Sequence, residues 1–238
     1  MRMSVTQRRE AIVALLCLGL VTSSLAIAQQ AADLPLTKAR SWTLADRDLY
    51  TPRIQPPAYR LRLEMAIVSG TRWAPEVILD AAKRAVAILA QCDIQVSIVQ
   101  LHEFNGPQRY RYLLTPDSRE FARRSGLGKP TIFFVDDTLQ RPAFDAEAIG
   151  RANAKTRPEM ADTVWITAAI RDLPIALAHE LVHVLTDSGD HSDAADNLMR
   201  ADTAPGNTHL TSEQCSSIVA TGQANGLLDH GMAHGGRR

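Results

Sequence analysis

The sequence predicts an α+β domain. Its parts are a mixed, twisted sheet of four to five strands, a backing helix, a helix that carries the chemistry, and a last helix. Three observations lead there. Alternating segments at 59–69 and 94–101 flank a 3.6-period stretch at 75–91, giving strand, helix and a second strand, a parallel pair. Two short runs rich in β-branched and aromatic residues, 131–135 and 163–170, add buried strands. An apolar helical segment then contains His179-Glu180-Leu181-Val182-His183.

Residues 1–28 read as a secretory signal peptide. Arg2, Arg8 and Arg9 precede an apolar run at 11–21, and Ala26-Ile27-Ala28 is an A-x-A cleavage site. The run is too short to span a bilayer comfortably, so no stable membrane anchor is expected after cleavage. Leu16 stands before Cys17, where a lipoprotein signal prefers a small residue, so lipid attachment is not expected. The expected location is the periplasm or the extracellular space. The whole chain has 238 residues, with 26 Lys and Arg against 26 Asp and Glu. Removing the basic leader leaves a slight acidic excess, which gives no footing for a nucleic-acid or anionic-membrane partner. The remaining length suits one domain.

Residues 29–58 contain Pro35, Pro52, Pro56 and Pro57 with little periodicity, and read as an extended lead-in or a propeptide. The catalytic domain is expected at 59–226. Pro75 suits the first turn of the backing helix. His102, at a strand end, reads as a surface residue. A short helix is expected at 117–125, capped by Asp117 and ended by Gly126. Asp136-Asp137 reads as a solvated turn or a calcium-type structural site. An edge strand is expected around 148–153. Asp172 is the expected N-cap of the active helix, with Pro174 in its first turn and a left-handed turn at Gly189 after its end near Asp187. Thr211 and Gln214 form a capping box on the last helix, which runs to about Gly222. His209 reads as a surface residue. Residues 227–238, with His230 and His234 among glycines, read as a disordered tail. Two cysteines remain after signal cleavage, Cys92 and Cys215. In an oxidising compartment an even count favours a disulfide over two separate buried thiols.

The chemistry centres on the helix. Residues four apart share one face, so His179 and His183 can present two imidazoles to one metal ion. Glu180 reaches the edge of the same site, where a carboxylate can move a proton. His191 follows after a turn, and apolar residues at Ile175, Ala178, Leu181, Val182 and Leu185 recur near the helical period. These are the parts of a zinc-dependent peptidase.

Over residues 173–222 the chain resembles the metzincin clan of zinc peptidases. The resemblance rests on His179, Glu180, His183, a third histidine downstream, Met199 in Asn197-Leu198-Met199, and a following helix. It implies a five-stranded mixed sheet with backing helices and one catalytic zinc ion. It also implies ligation by His179, His183 and His191, Glu180 as general base, and Met199 in the turn beneath the metal. The clan pattern HExxHxxGxxH is not met in full. Thr186 occupies the glycine position, and His191 comes two residues late. Asp187, Asp190 and the more distant Glu213 are therefore rival third ligands. The implied activity is hydrolysis of a peptide or protein substrate lying along the edge strand. A catalytically silent zinc-stabilised binding domain and a hydrolase of a non-peptide amide are the alternatives. A structural zinc site has no use for Glu180, and no carbohydrate-binding repeat supports the second.

Overall fold

The computed structural model describes residues 35–49, 58–139 and 143–231. The expected signal peptide, the rest of the lead-in and His234 lie outside the described residues.

The central strands are β2 (Tyr59–Val68), β3 (Ile94–Asn105), β5 (Thr131–Val135) and β8 (Thr163–Thr167), all mutually parallel. The expected strand–helix–strand unit is formed by β2, helix α1 (Pro75–Leu89) and β3. The edge strand β7 (Ala146–Ile149) runs antiparallel to β8. Period 2 explains how these strands hold two cores at once. Leu61, Leu63, Met65, Ile132, Phe134, Val164 and Ile166 face one side. Ala66, Val68, Phe133, Val135 and Trp165 face the other.

The first side is covered by α1, by helix α3 (Leu173–Thr186) and by helix α4 (Ser212–Ala224), which pack on one another. Helix α2 (Thr115–Ser125) covers the second side, where Phe121 meets Phe104 and Phe133 edge-on and Phe133 stacks on Trp165 at 4.3 Å. The short strands β4 (Tyr112–Leu113) and β6 (Asp137–Thr138) pair beside it.

Among the described residues the main sheet has seven strands, two more than the upper expectation. One is β1 (Thr37–Ala45), inside the segment read as an irregular arm. It pairs antiparallel with β3 along nearly its whole length, with Trp42 and Leu44 packed against the core. The other is β9 (Leu228–His230), inside the segment read as a disordered tail, paired antiparallel with Tyr59–Leu61. Their register comes from open edges of distant strands, which local periodicity does not report.

Three local expectations are corrected. His102 is buried rather than superficial. Ser41 lies opposite it on β1 with Oγ 2.8 Å from Nδ1, and Glu64 on β2 lies 2.7 Å from Nε2. Asp136 is no solvated turn or calcium corner. It is buried and accepts hydrogen bonds from the Thr71 hydroxyl, the Arg72 backbone and Arg111. Burial opposes its charge, but those donors hold its carboxyl below the usual range. Helix α2 starts two residues earlier than expected, after Leu114, and Asp117 pairs with Arg109 instead of capping.

Glu120 on α2 accepts from Arg109 at 2.8 Å and Arg124 at 3.0 Å. Arg109 and then Tyr110 lower its carboxyl to about 2. A depressed folded pKa stabilises above the unfolded value, near 4.3, and that contribution is lost as pH falls through about 2. Solvent screening limits it to about 1 kcal/mol, or roughly 2–4 °C in Tm. Glu120→Gln should show that deficit by calorimetry at pH 6 and a smaller one at pH 3. An equal deficit at both would contradict the assignment.

Candidate metal centre

Helix α3 has Pro174 in its first turn and is buried on most of its surface, so its apolar run places two histidines inside the fold. Asp172 occupies the N-cap position, but its side chain makes no capping bond. The helix ends at Thr186, and Asp187 takes the left-handed position with φ 50°. Gly189, expected in that role, is not among the positive-φ residues. The left-handed residue thus lies one place beyond the pattern's glycine slot. Helix and loop each contribute one residue to the late arrival of His191.

His179, His183 and His191 converge, with their candidate ligand nitrogens all within 4.8 Å of one another. His179 donates from Nδ1 to the Leu198 carbonyl at 2.8 Å, and His183 donates from Nδ1 to the Ser188 carbonyl at 2.7 Å. A carbonyl can only accept, so each Nδ1 carries the proton and each Nε2 presents a lone pair. Those two Nε2 atoms stand 2.9 Å apart. Burial lowers the pKa of both rings, and burial followed by the neighbouring His179 brings His183 to about 4. Two converging lone pairs that resist protonation suit a metal cation. Tetrahedral zinc with nitrogen ligands near 2.05 Å wants nitrogens about 3.3 Å apart. The two helix histidines fit within a few tenths of an ångström, and exposed His191 can swing to close the third edge.

Glu180 borders the same space. Burial raises its carboxyl to about 7, with Glu147 adding and a hydrogen bond from the Ala148 backbone opposing. A cation on the histidines would pull the value down again.

The histidines and Glu180 line a cavity of about 660 Å³ whose wall includes Ala146 and Ala148 of β7. The sheet order ends at β7, so no described strand pairs with its outer edge. The expected edge strand is therefore present, but it spans 146–149, and Asn153 lies in a 3-10 turn beyond it.

Of the rival ligands, Asp187 lines the same cavity, but its carboxylate is engaged by the main chain. Both Asp187 carboxylate oxygens accept from the Ala152 backbone, at 3.0 and 3.3 Å, tying the end of α3 to the loop after β7. Neither Asp190 nor Glu213 joins the three-histidine cluster. Met199 is buried in the turn whose Leu198 carbonyl meets His179, and His209 is exposed. Cys92 and Cys215 form a disulfide.

Sequence reasoning missed the carbonyls of Leu198 and Ser188, because a main-chain acceptor leaves no mark on residue identity. It also missed Gly150. A Cβ there would stand 2.2 Å from Asp187 Oδ1. Gly150→Ala should displace Asp187 from Ala152 and cost about 1–3 kcal/mol, read as a fall in Tm. An unchanged Tm would show that the loop yields freely.

No family model matches the chain, and no curated protein matches it. Among solved structures it is similar to metalloproteinase-II from Bacteroides fragilis, with a TM-score of 0.52 and 18% identity over 82% of this chain. The match covers 60% of that protein, so the chain spans about three fifths of its length. The likeness is one of fold: a mixed α+β architecture built on a twisted mixed sheet.

Proposed function

We propose that this chain is an exported, zinc-dependent endopeptidase of metzincin type. The observation that carries the reading is the convergence of three histidines beside Glu180, in a cleft walled by an unpaired strand edge. His179, His183 and His191 would hold one zinc ion through ring nitrogens, with Met199 beneath the site. Zinc bound there supplies a polarised carbonyl and an acidified water.

The chain's own residues do the rest. The Leu198 and Ser188 carbonyls keep His179 and His183 in the tautomer that offers Nε2. The outer edge of β7 offers main-chain hydrogen bonds to an extended peptide. The Glu180 carboxylate takes the proton of the attacking water and passes it to the leaving nitrogen. The disulfide and the leader-like residues 1–28 support export. Among the described residues no helix is long and apolar enough to cross a membrane.

The test is metal content and cleavage together. After exhaustive dialysis the mature chain should retain one zinc, and His191→Ala should lose it or bind it far more weakly. The loaded chain should cut unfolded protein substrates. A fully loaded chain that leaves a broad panel of unfolded proteins and peptides intact would overturn the peptidase reading. It would leave a silent binding domain or a hydrolase of another amide.

A further inference from the structure

Helix α4 begins with a side-chain pair whose influence reaches the metal centre. Asn197 is fully buried and faces Gln214 on the first turn of α4. The two amides bond head to tail. Asn197 donates from Nδ2 to Gln214 Oε1 at 2.9 Å, and Gln214 donates from Nε2 to Asn197 Oδ1 at 3.0 Å. Asn197 Oδ1 also accepts from the Met199 backbone at 2.9 Å, which closes the turn around Leu198. Gln214 Oε1 also accepts from the Thr211 backbone at 2.9 Å.

That turn supports two histidines. Its Leu198 carbonyl receives the Nδ1 proton of His179, and its Met199 carbonyl accepts from the backbone of Ser192, the residue after His191, at 2.7 Å. The far end of the pair is anchored as well. Cys215, next to Gln214, is joined to Cys92 in the 3-10 turn after α1, and Gln91 of that turn donates to the Thr208 carbonyl at 2.7 Å.

Resting on the metal-centre reading, we propose that Asn197 and Gln214 are positioning residues. Their paired amides hold the turn at 197–199, and so set the imidazole of His179 and the approach of His191 to the metal. The physical reason is geometric. A two-point amide pair resists rotation about either bond, whereas one hydrogen bond would let the turn pivot. Partners that orient metal-binding histidines typically change metal affinity by roughly 10–100-fold when removed.

Gln214→Glu tests this at nearly constant shape. It keeps an acceptor for Thr211 and replaces the Nε2 donor with oxygen. Gln214→Met removes both bonds to Asn197 and the one from Thr211 at similar volume, and serves if the carboxylate prevents folding. Ser216→Ala, exposed on the same helix, is the control. Two readouts are taken. The first is the histidine Nδ1–H signals of the metal-free protein by nitrogen-15 NMR. The second is zinc affinity by competition with a chromophoric chelator.

In the Gln214 variants the His179 Nδ1–H signal should lose protection while that of His183 keeps it. Zinc affinity should fall roughly 10–100-fold, and the control should match the parent in both readouts. An unchanged His179 signal with unchanged zinc affinity would overturn the inference. So would equal loss at His179 and His183, the mark of general loosening. If the parent itself binds no zinc, the peptidase reading fails, and the His179 signal still decides this one.

Discussion

Glu180→Gln should lower peptide hydrolysis by about 10²–10⁴-fold, the range for losing a positioned general base, while zinc stays bound. The variant separates the two because the Glu180 carboxylate is not a member of the three-histidine cluster. Glutamine keeps the shape and an acceptor for the Ala148 backbone, but its amide cannot take a proton from water at neutral pH. The loss should therefore fall on kcat, with KM little changed. The measurement is steady-state cleavage of a fluorogenic peptide beside zinc analysis of the same preparation. Activity near the parent level in a fully loaded variant would remove Glu180 from the mechanism. Loss of zinc along with activity would make it a residue of the metal site's structure.

Removing the disulfide should have the largest effect on stability. Cys92 and Cys215 are separated by 123 residues and join the 3-10 turn after α1 to the first turn of α4. The chain-entropy model gives about 5 kcal/mol for a loop of that size, and native disulfides commonly contribute about 2–5. For a domain of this size each kcal/mol is about 2–4 °C in Tm. Cys92→Ala/Cys215→Ala should therefore melt roughly 5–20 °C lower on those constants. Calorimetry on the metal-free chain checks it. A fall of less than a degree would mean that the surrounding packing already holds the unfolded chain's ends together or relaxes without strain.

The gap between sequence and structure is sharpest at the third histidine. Residue identity alone offered His191, Asp187, Asp190 and Glu213 for one role, because histidine, aspartate and glutamate all bind zinc. Tertiary structure separates them by what else each touches. Asp187 is occupied by Ala152, the other two carboxylates lie outside the cluster, and His191 reaches the helix pair. The left-handed turn falls at Asp187 instead of Gly189 because the helix stops at Thr186, and an aspartate tolerates that conformation better than most side chains.

The sequence by itself determined the features written in local period and spacing. These are the central strands as segments, the helix α1, the placing of His179 with His183 on one helical face beside Glu180, and the capping box at Thr211 and Gln214. Each depends on residues within a few positions of one another, where backbone geometry is nearly invariant. Only the tertiary structure decided the positions of β1 and β9, the burial of His102 and Asp136, the placement of His191, and the Asn197–Gln214 bridge beside the turn that meets His179. Each of these depends on a partner far along the chain, such as Ser41 for His102 or Gln214 for Asn197. No local period records which distant surface a side chain will meet.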